Sequence, residues 1–302
     1  TTIKSLKCNA GTVTAPSSAA FTIFDETSGF ALYLLGNYTF NHSNGLVHID
    51  HSSHNSDTFV QWGAGSNQPL YDFKYTAFDA DNKCEWYGYD NHLKCDHDLT
   101  IVEGVFARIS GRAGDTMTVE RNVSVESGGN LGAATDTGSN NFGSLTIASG
   151  GTYNATSGTT TITSENSSGY TIQNAGTFTH NKGLVDIDLA SPTTTMADNG
   201  PYYDFTQSDA ATDFYTNQVF EVMNNLYFVG DWDFQSNAHH LTVHGNMTIG
   251  DGTTTTRYMP YNTRTCNLTV GGILEVTNGA TLTNFTHGTI NVGGIRNTGG
   301  TM

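Results

Sequence analysis

The chain has 302 residues, of which 34 are Gly and only 5 are Pro, and its formal net charge is -16. A charged fraction of 13% with 11% aromatic residues excludes a coiled coil and a disordered chain. The excess of acidic residues gives nucleic-acid binding no electrostatic basis, and no apolar run approaches the roughly 18 residues of a membrane-spanning helix. Frequent Gly, Thr, Ser and Asn beside regularly spaced large apolar residues predict an all-β protein.

The N-terminal residues 1–35 contain the longest apolar run, from Phe30 to Leu35. Stacked strands leave unpaired edges at their ends, which a cap must cover. We therefore predict that residues 1–35 form a cap or attachment segment. The chain begins with Thr1 and ends on a turn-like segment from Asn297 to Met302, which predicts a processed or excised part of a longer protein.

A long repeat follows this segment. Phe40-Asn-His-Ser-Asn-Gly-Leu-Val-His-Ile-Asp50 returns as Phe178-Thr-His-Asn-Lys-Gly-Leu-Val-Asp-Ile-Asp188. Downstream of each copy, Pro69 to Phe73 matches Pro201 to Phe205, and a shortened third copy begins at Phe285. Internal repeats of this kind are typical of solenoids.

A shorter repeat lies between these copies and places two large side chains around a small polar one at spacings of 21 to 25 residues. Its copies are Leu99-Thr-Ile101, Val123-Ser-Val125, Leu145-Thr-Ile147, Tyr170-Thr-Ile172, Met247-Thr-Ile249 and Leu268-Thr-Val270. Strands alternate faces with a period of two, so the large residues share the interior. We predict a right-handed parallel β-helix over residues 36–302, with about three short strands per coil and loop excursions near 51–69, 79–98 and 190–218. A short helix is expected to start at Ser208.

The signature Phe-x-His-Asn-x-Gly-x-Val-x-Ile-Asp at 178–188, with the Tyr-Asp-Phe segment and the Leu-Thr-Ile-Ala-Ser-Gly-Gly coils, resembles the repetitive β-solenoid modules of phage virion surface proteins. Such modules belong to tail-fibre, decoration or adhesin-like proteins, and similar ones occur in bacterial surface adhesins. The resemblance covers about residues 36–302. It implies a place on a virion surface or another extracellular location, with attachment, decoration or shell reinforcement as the task. It carries over no catalytic residue.

A pair of acidic residues gives the sharpest enzymatic hypothesis. In Leu184-Val-Asp-Ile-Asp188, Val185 and Ile187 are expected to face the interior, which leaves Asp186 and Asp188 side by side outside. Two such carboxylates can bind Ca²⁺ or act as acid and base on a polysaccharide. The equivalent strand carries His48 and Asp50 instead, and solvated surface residues are the simpler interpretation.

A second candidate site surrounds the segment from Cys84 to Cys95. Oxygen-rich loops suit Ca²⁺, and exposed aromatic rings suit sugar stacking. We predict a binding patch formed by Trp86, Tyr87 and Tyr89, beside calcium ligands drawn from Asp79, Asp81, Asp96 and Asp98. No cofactor is expected apart from a calcium ion at this site, and an ordinary cluster of acidic turns is the alternative to that ion.

The cysteines and histidines are less informative. Cys84 and Cys95 are close enough in sequence to form a local disulfide, whereas Cys8 and Cys266 lie near opposite ends. Buried, unlinked thiols are the alternative. His48, His51 and His54, like His239, His240 and His244, lack the spacing of a metal-binding helix motif. His42, His180 and His287 recur at matching repeat positions, which predicts a corner-packing role.

Three functions are consistent with these patterns. The first is a non-enzymatic structural or adhesive protein on a virion exterior, with other virion or surface proteins as partners in a homo-oligomer and a cell-surface glycan as a further partner. The second is a polysaccharide-degrading tailspike or secreted lyase. The third is a bacterial surface adhesin or filament subunit of the same fold.

Overall fold

The computed structural model describes residues 1–24, 29–62, 69–88, 92–109, 114–189, 193–197, 200–208, 213–216, 219–230, 232–234, 240–253, 256–260, 267–282 and 288–302. These residues form 30 β-strands and no helix. A search of the same residues finds no helix with the length and hydropathy needed to span a membrane.

The strands follow one another with short connections. They are β1 (Thr2–Ile3), β2 (Leu6–Thr14), β3 (Phe21–Ile23), β4 (Gly29–Asn41), β5 (Leu46–Asp50), β6 (Thr58–Trp62), β7 (Asp72–Thr76), β8 (Lys83–Gly88), β9 (His92–Cys95), β10 (Leu99–Arg108), β11 (Thr116–Val125), β12 (Gly129–Leu131), β13 (Ser139–Ile147), β14 (Thr152–Asn154), β15 (Thr159–Ile162), β16 (Ile172–Asn174), β17 (Thr177–Thr179), β18 (Leu184–Ile187), β19 (Thr193–Ala197), β20 (Asp204–Gln207), β21 (Asp213–Thr216), β22 (Phe220–Val222), β23 (Leu226–Phe228), β24 (Trp232–Phe234), β25 (His240–Val243), β26 (Met247–Ile249), β27 (Thr256–Pro260), β28 (Asn267–Thr277), β29 (Ala280–Leu282) and β30 (Ile290–Thr298).

The predicted fold class is confirmed. Parallel strands stack in a β-solenoid of about 10 turns, consistent with a right-handed parallel β-helix. The coil that begins at Leu99 shows its three strand positions. Residues 99–101 of β10 pair with β7 and β11, the second half of β10 pairs with β8 and β12, and residues 116–119 of β11 pair with β9 and β13.

The chain divides into two compact units, and the solenoid bounds of residues 36–302 stay a prediction. Unit 1 comprises Thr1–Gly158 and Ala175–Thr179, and unit 2 comprises Thr159–Asn174 and His180–Met302. Each unit has its own columns of stacked interior side chains.

In unit 1, the sheet through β3, β5, β7, β10, β11 and β13 buries two columns of large side chains. The first column is Phe21, Val47, Phe73, Leu99, Val123 and Leu145, and the second is Ile23, Ile49, Tyr75, Ile101, Val125 and Ile147. The residues between them point outward, as a two-residue period requires. Burying one such side chain contributes about 1.5–3 kcal/mol, so the columns stabilise the stack strongly.

The interior of unit 1 also holds a charged pair. The Arg108 guanidinium donates to Asp136 Oδ1 at 2.5 Å and to the Ser139 carbonyl at 2.5 Å, and it also contacts Asn140. Trp86 lies beneath it, with the guanidinium carbon 5.2 Å from the ring centroid. Both charged side chains are almost fully buried, so the attraction between them offsets the free-energy cost of removing each charge from water.

In unit 2, equivalent columns run through successive strands. One column is Val185, Phe205, Leu226, Met247 and Leu274, and another is Phe220, Leu241 and Leu268. Met247 and Leu268 therefore lie in different columns, and the prediction that their segments are successive copies of one strand is wrong. The large-small-large pattern recurs in strands of both columns, as in Leu241-Thr-Val243 and Met247-Thr-Ile249, so it does not identify the column.

A ladder of Asp and Asn side chains follows one corner of each unit. In unit 1, Asp72 Oδ1 accepts from the Asp98 backbone N–H at 3.1 Å, and Asp98 Oδ1 accepts from the Asn122 N–H at 3.0 Å. In unit 2, Asp204 Oδ1 accepts from the Asn225 N–H at 2.9 Å, and Asn225 Oδ1 accepts from the Asn246 N–H at 3.1 Å. These bonds tie each coil to the next.

The recurring histidines pack at corners, as predicted for His42 and His180. His42 Nδ1 accepts from the Asn44 N–H at 2.9 Å, and His180 Nδ1 accepts from the Lys182 N–H at 3.0 Å. Each bond closes a tight turn in which two non-glycine residues have positive φ, 48° and 56° in the first turn and 44° and 61° in the second. His287 lies outside the described residues.

The predicted loop excursions are contradicted where the structure describes them. β6 lies within 51–69, β8 and β9 lie within 79–98, and β19, β20 and β21 lie within 190–218. All six strands pair in parallel register with strands of neighbouring coils. The helix expected from Ser208 falls mainly on residues 209–212, outside the described residues, and Asp213 already begins a strand. Strands β1, β2, β3 and the start of β4, within residues 1–35, also join the ladders, and the role of this segment as a cap or attachment segment stays a prediction.

The predicted disulfide between Cys84 and Cys95 is absent, and both side chains are buried thiols. Cys84 lies in register between Thr58 and Phe106, whereas Cys95 pairs with Val119 in another strand column. Each sulfur therefore stacks along the coil axis instead of facing the other. Burial also raises the pKa of the Cys95 thiol, which disfavours the thiolate needed for oxidation. Cys266 lies outside the described residues.

Candidate functional site

An aromatic surface on the outside of unit 1 is the first candidate site. Four rings form it, namely Phe30, Tyr33, Phe59 and Tyr87, and we call it the outer aromatic face. The Phe30 ring centroid lies 5.1 Å from that of Tyr33, 5.7 Å from that of Phe59 and 5.8 Å from that of Tyr87. Phe30 is 39% exposed, and the other three rings are half-buried. Three successive coils thus contribute to one outward-facing cluster.

A bulge in β4 positions two of these rings. Phe30 pairs with Phe59, but Leu32 pairs with Val60, so the register shifts by one residue between them. Strict alternation would place Phe30 and Leu32 on the same side of the strand. The bulge instead leaves Phe30 and Tyr33 both outside, with Leu32 buried.

Polar side chains lie in the same outward columns. Lys7, Tyr33, Gln61 and Tyr87 are in register on successive coils, and the Lys7 ammonium lies 4.8 Å from the centroid of the Tyr33 ring. Glu85 continues the column of Phe59. The face therefore combines rings for stacking with an amide, a carboxylate and an ammonium for hydrogen bonding.

The binding patch predicted from the sequence is partly relocated. Trp86 is 1% exposed and belongs to the interior, so its predicted role in ligand binding is wrong. Adjacent residues of a strand face opposite sides, and this places Tyr87 on the outer face. Tyr89 lies outside the described residues. Sequence alone does not indicate Phe30, Tyr33 and Phe59, because only the pairing of coils brings them next to Tyr87.

The four predicted calcium ligands do not form one site. Asp79 Oδ1 accepts from the backbone N–H groups of Asp81 and Asn82, both at 3.1 Å, which is an ordinary Asx turn. The Asp96 carboxylate lies 3.4 Å from the Lys94 ammonium and 3.7 Å from His42 Nε2. Asp79 therefore closes a turn of its own segment, whereas Asp96 contacts a nearby lysine and a histidine from another part of the chain.

Asp98 joins a different group, which the sequence analysis did not identify. One donor atom each from Asp72, His97 and Asp98 lies within 4.8 Å of the other two. His97 Nδ1 is 2.7 Å from Asp72 Oδ1 and 3.3 Å from Asp98 Oδ2. The imidazole also stacks on Tyr71, with ring centroids 4.6 Å apart. We call these three residues the corner cluster, and their nitrogen and oxygen donors are a set that can hold a metal ion.

The acid pair lies as predicted, with Val185 and Ile187 buried and Asp186 and Asp188 on the outer side. Asp186 is half-buried, and burial is the main cause that raises the pKa of its carboxyl group. A hydrogen bond with Ser208 opposes this shift, whereas the charge of Asp188 adds to it. The equivalent His48 has a lowered pKa, again mainly through burial, so the neutral form is favoured at both positions.

Comparison of the chain with protein-family models, with curated proteins and with solved structures finds no match.

Proposed function

We propose that this protein is a non-enzymatic adhesive and structural component of a virion exterior, and that it binds a glycan through the outer aromatic face. The observation that carries the proposal is the outward projection of four clustered rings in a molecule that buries most of its other large apolar side chains. Clustered exposed aromatic surface on a folded protein is a mark of an interaction site. The resemblance of the repeats to phage surface modules supports the virion location.

The chemistry of the face favours a sugar chain. Aromatic rings stack on the apolar C–H faces of pyranoses, while Gln61, Glu85 and Lys7 offer directional hydrogen bonds to hydroxyl groups. The net charge of -16 disfavours the approach of polyanions. A neutral glycan is therefore the ligand that we propose.

The solenoid frame supports this function. β6 and β8 each have a parallel neighbour on both sides, so the backbone beneath Phe59 and Tyr87 is fixed by ladders of hydrogen bonds. A rigid frame lowers the entropic cost of binding. The same face would serve a bacterial surface adhesin equally well, and the two functions differ in the particle that carries the protein.

One observation favours a second candidate, a polysaccharide depolymerase. The raised pKa of Asp186 suits a general acid, and the neighbouring Asp188 offers a carboxylate. This pair lies in unit 2, whereas the outer aromatic face belongs to unit 1.

Binding to a panel of neutral oligosaccharides, measured by isothermal titration calorimetry, tests the proposal. Tyr33→Ala with Tyr87→Ala should weaken binding by about ten-fold or more, because the stacking rings are lost. Phe78→Ala is the matched control, since this ring is 50% exposed but lies outside the face. Equal effects of both variants, or no binding to any glycan, would contradict the proposal.

Release of new reducing ends from a polysaccharide, abolished by Asp186→Ala with Asp188→Ala, would instead establish the depolymerase.

A further inference from the structure

We propose that the corner cluster of Asp72, His97 and Asp98 binds a divalent transition-metal ion, with Zn²⁺ as the reference ion. The three side chains come from two successive coils, since Asp72 begins β7 and the other two residues precede β10. A bound ion would therefore link the coils. The inference is independent of the proposed glycan function.

Unit 2 contains the same corner with a single carboxylate, that of Asp204, and two neutral amide side chains. The Asn224 side chain donates to Asp204 Oδ1 at 2.9 Å, as His97 Nδ1 meets Asp72 Oδ1 at 2.7 Å. Asn225 also occupies the position of Asp98. Its N–H donates to Asp204 Oδ1 at 2.9 Å, and its own Oδ1 accepts from the next coil at 3.1 Å.

The backbone contacts of the two corners agree as well. The N–H of His97 donates to the Tyr71 carbonyl at 3.0 Å, and that of Asn224 donates to the Tyr203 carbonyl at 2.8 Å. The carbonyl of Asp98 accepts from the Phe73 N–H of the preceding coil at 2.9 Å, and that of Asn225 accepts from the Phe205 N–H of the preceding coil at 3.0 Å. Two neutral amides therefore satisfy every hydrogen bond that this corner needs, so folding alone does not account for the imidazole and second carboxylate of unit 1.

The extra groups in unit 1 carry an electrostatic cost. A carboxylate oxygen of Asp72 lies within 4.8 Å of one of Asp98. At this distance the two negative charges repel each other. Replacing Asn by Asp in such a ladder keeps the hydrogen bonds and adds this repulsion. A cation bound between the oxygens and His97 Nδ1 would reverse the sign of the interaction.

The donor set identifies the class of ion. Ca²⁺ prefers six to eight oxygen ligands, whereas an imidazole nitrogen with two carboxylates suits Zn²⁺ and similar transition metals. The three side chains are each between 26% and 42% exposed, which leaves room for water as a further ligand. The corner cluster therefore differs in its metal from the calcium site predicted from the sequence and shares only Asp98 with it.

Exchanging the side chains of the two corners gives a pair of matched variants. His97→Asn with Asp98→Asn converts the corner of unit 1 into that of unit 2, a side-chain set already compatible with this geometry. Asn224→His with Asn225→Asp makes the opposite change. Isothermal titration of the chelator-treated protein with ZnCl₂ should give one Zn²⁺ per chain for the parent protein. The first variant should bind about 100-fold more weakly, and the second should bind two ions per chain.

Thermal unfolding followed by circular dichroism gives a second readout. Saturating Zn²⁺ should raise the Tm of the parent protein and leave that of His97→Asn with Asp98→Asn unchanged, because a ligand stabilises only the state that binds it. Undiminished Zn²⁺ binding by this variant, or Ca²⁺ binding as tight as Zn²⁺ binding, would overturn the proposal. If the variant does not fold, the stoichiometry of Asn224→His with Asn225→Asp decides, since an unchanged value overturns the assignment.

Discussion

At the residue scale, partial burial controls the charge of the outward side chains. His48 and Asp186 occupy equivalent strand positions, and each is shifted toward its neutral form mainly by burial. His48 Nε2 also lies 2.9 Å from the Thr76 hydroxyl on the next coil. The groove between stacked coils thus withdraws even outward residues from water and makes a charge costly there.

Asp186 provides a test of this cost. Its raised pKa means that the folded chain binds this proton more tightly than the unfolded chain, so stability is greatest at low pH. Stability falls as the pH rises from the ordinary aspartate pKa to the raised value, and the loss persists above it. Asp186→Asn removes the charge and should raise the Tm at neutral pH by about 2 °C, as measured by circular dichroism.

The neighbouring acid is the control for this prediction. Asp188→Asn changes an exposed residue and should leave the Tm nearly unchanged. The difference between Asp186→Asn and the parent protein should vanish below the ordinary aspartate pKa. A gain in Tm that is the same at all pH values would show that repacking, and not the charge, is the cause.

At the scale of elements, glycines allow the coils to approach each other at the corners. A Cβ on Gly151 would lie 2.7 Å from the Val125 carbonyl oxygen and 2.8 Å from that of Glu126. Gly129 holds the equivalent position one coil earlier, where a Cβ would lie 2.5 Å from the Ile101 oxygen. These contacts involve backbone atoms, which cannot move aside without separating the coils.

Gly151→Ala should therefore lower the free energy of unfolding by about 1–3 kcal/mol, the usual cost of overpacking. Urea unfolding of the purified variant measures this change. Gly29→Ala is the matched control, because a Cβ at Gly29 has no neighbour within 4 Å, and its stability should be unchanged or slightly higher. Equal effects at both positions would mean that the corner contact is not the cause.

At the scale of the whole molecule, each unit is stabilised by nearest-neighbour contacts between coils. Unit 1 adds a buried ion pair to its apolar columns, and both units add the ladder of Asp and Asn side chains. A stack of this kind gains stability coil by coil, so strands with a single neighbour are its weakest part. Among the residues that the structure describes, β30 in unit 2 pairs only with β28, and none of the residues of β30 is buried.

Hydrogen exchange should reveal this difference within unit 2. We expect the amides of β30 to exchange faster than those of β28, which lies between β30 on one side and β25 and β26 on the other. Exchange of peptides covering 290–298 and 267–277, followed by mass spectrometry, measures it. Equal protection of the two strands would contradict the prediction and would indicate that another chain covers β30, as in the homo-oligomer expected from the sequence.

Much of the fold was predictable because strand alternation and coil length are local properties of the sequence. The spacing of Leu99, Val123 and Leu145 predicted the register that the structure has. The same alternation placed Asp186 and Asp188 outside, and the recurrence of His42 and His180 predicted their corner role. The same alternation also indicates that Trp86 and Tyr87 face opposite sides of their strand, although both residues were predicted to belong to one binding patch.

The tertiary structure alone decided which outward side chains of neighbouring coils meet at the two candidate sites. The bulge in β4 brings Phe30 beside Phe59 and Tyr87, and the register of β7 and β10 brings Asp72 beside His97 and Asp98. In sequence these residues are separated by a full coil, and a shift of one residue would place different side chains together. Local pattern therefore determined the solenoid and the direction of each side chain, whereas both candidate sites depend on the exact stacking of one coil on the next.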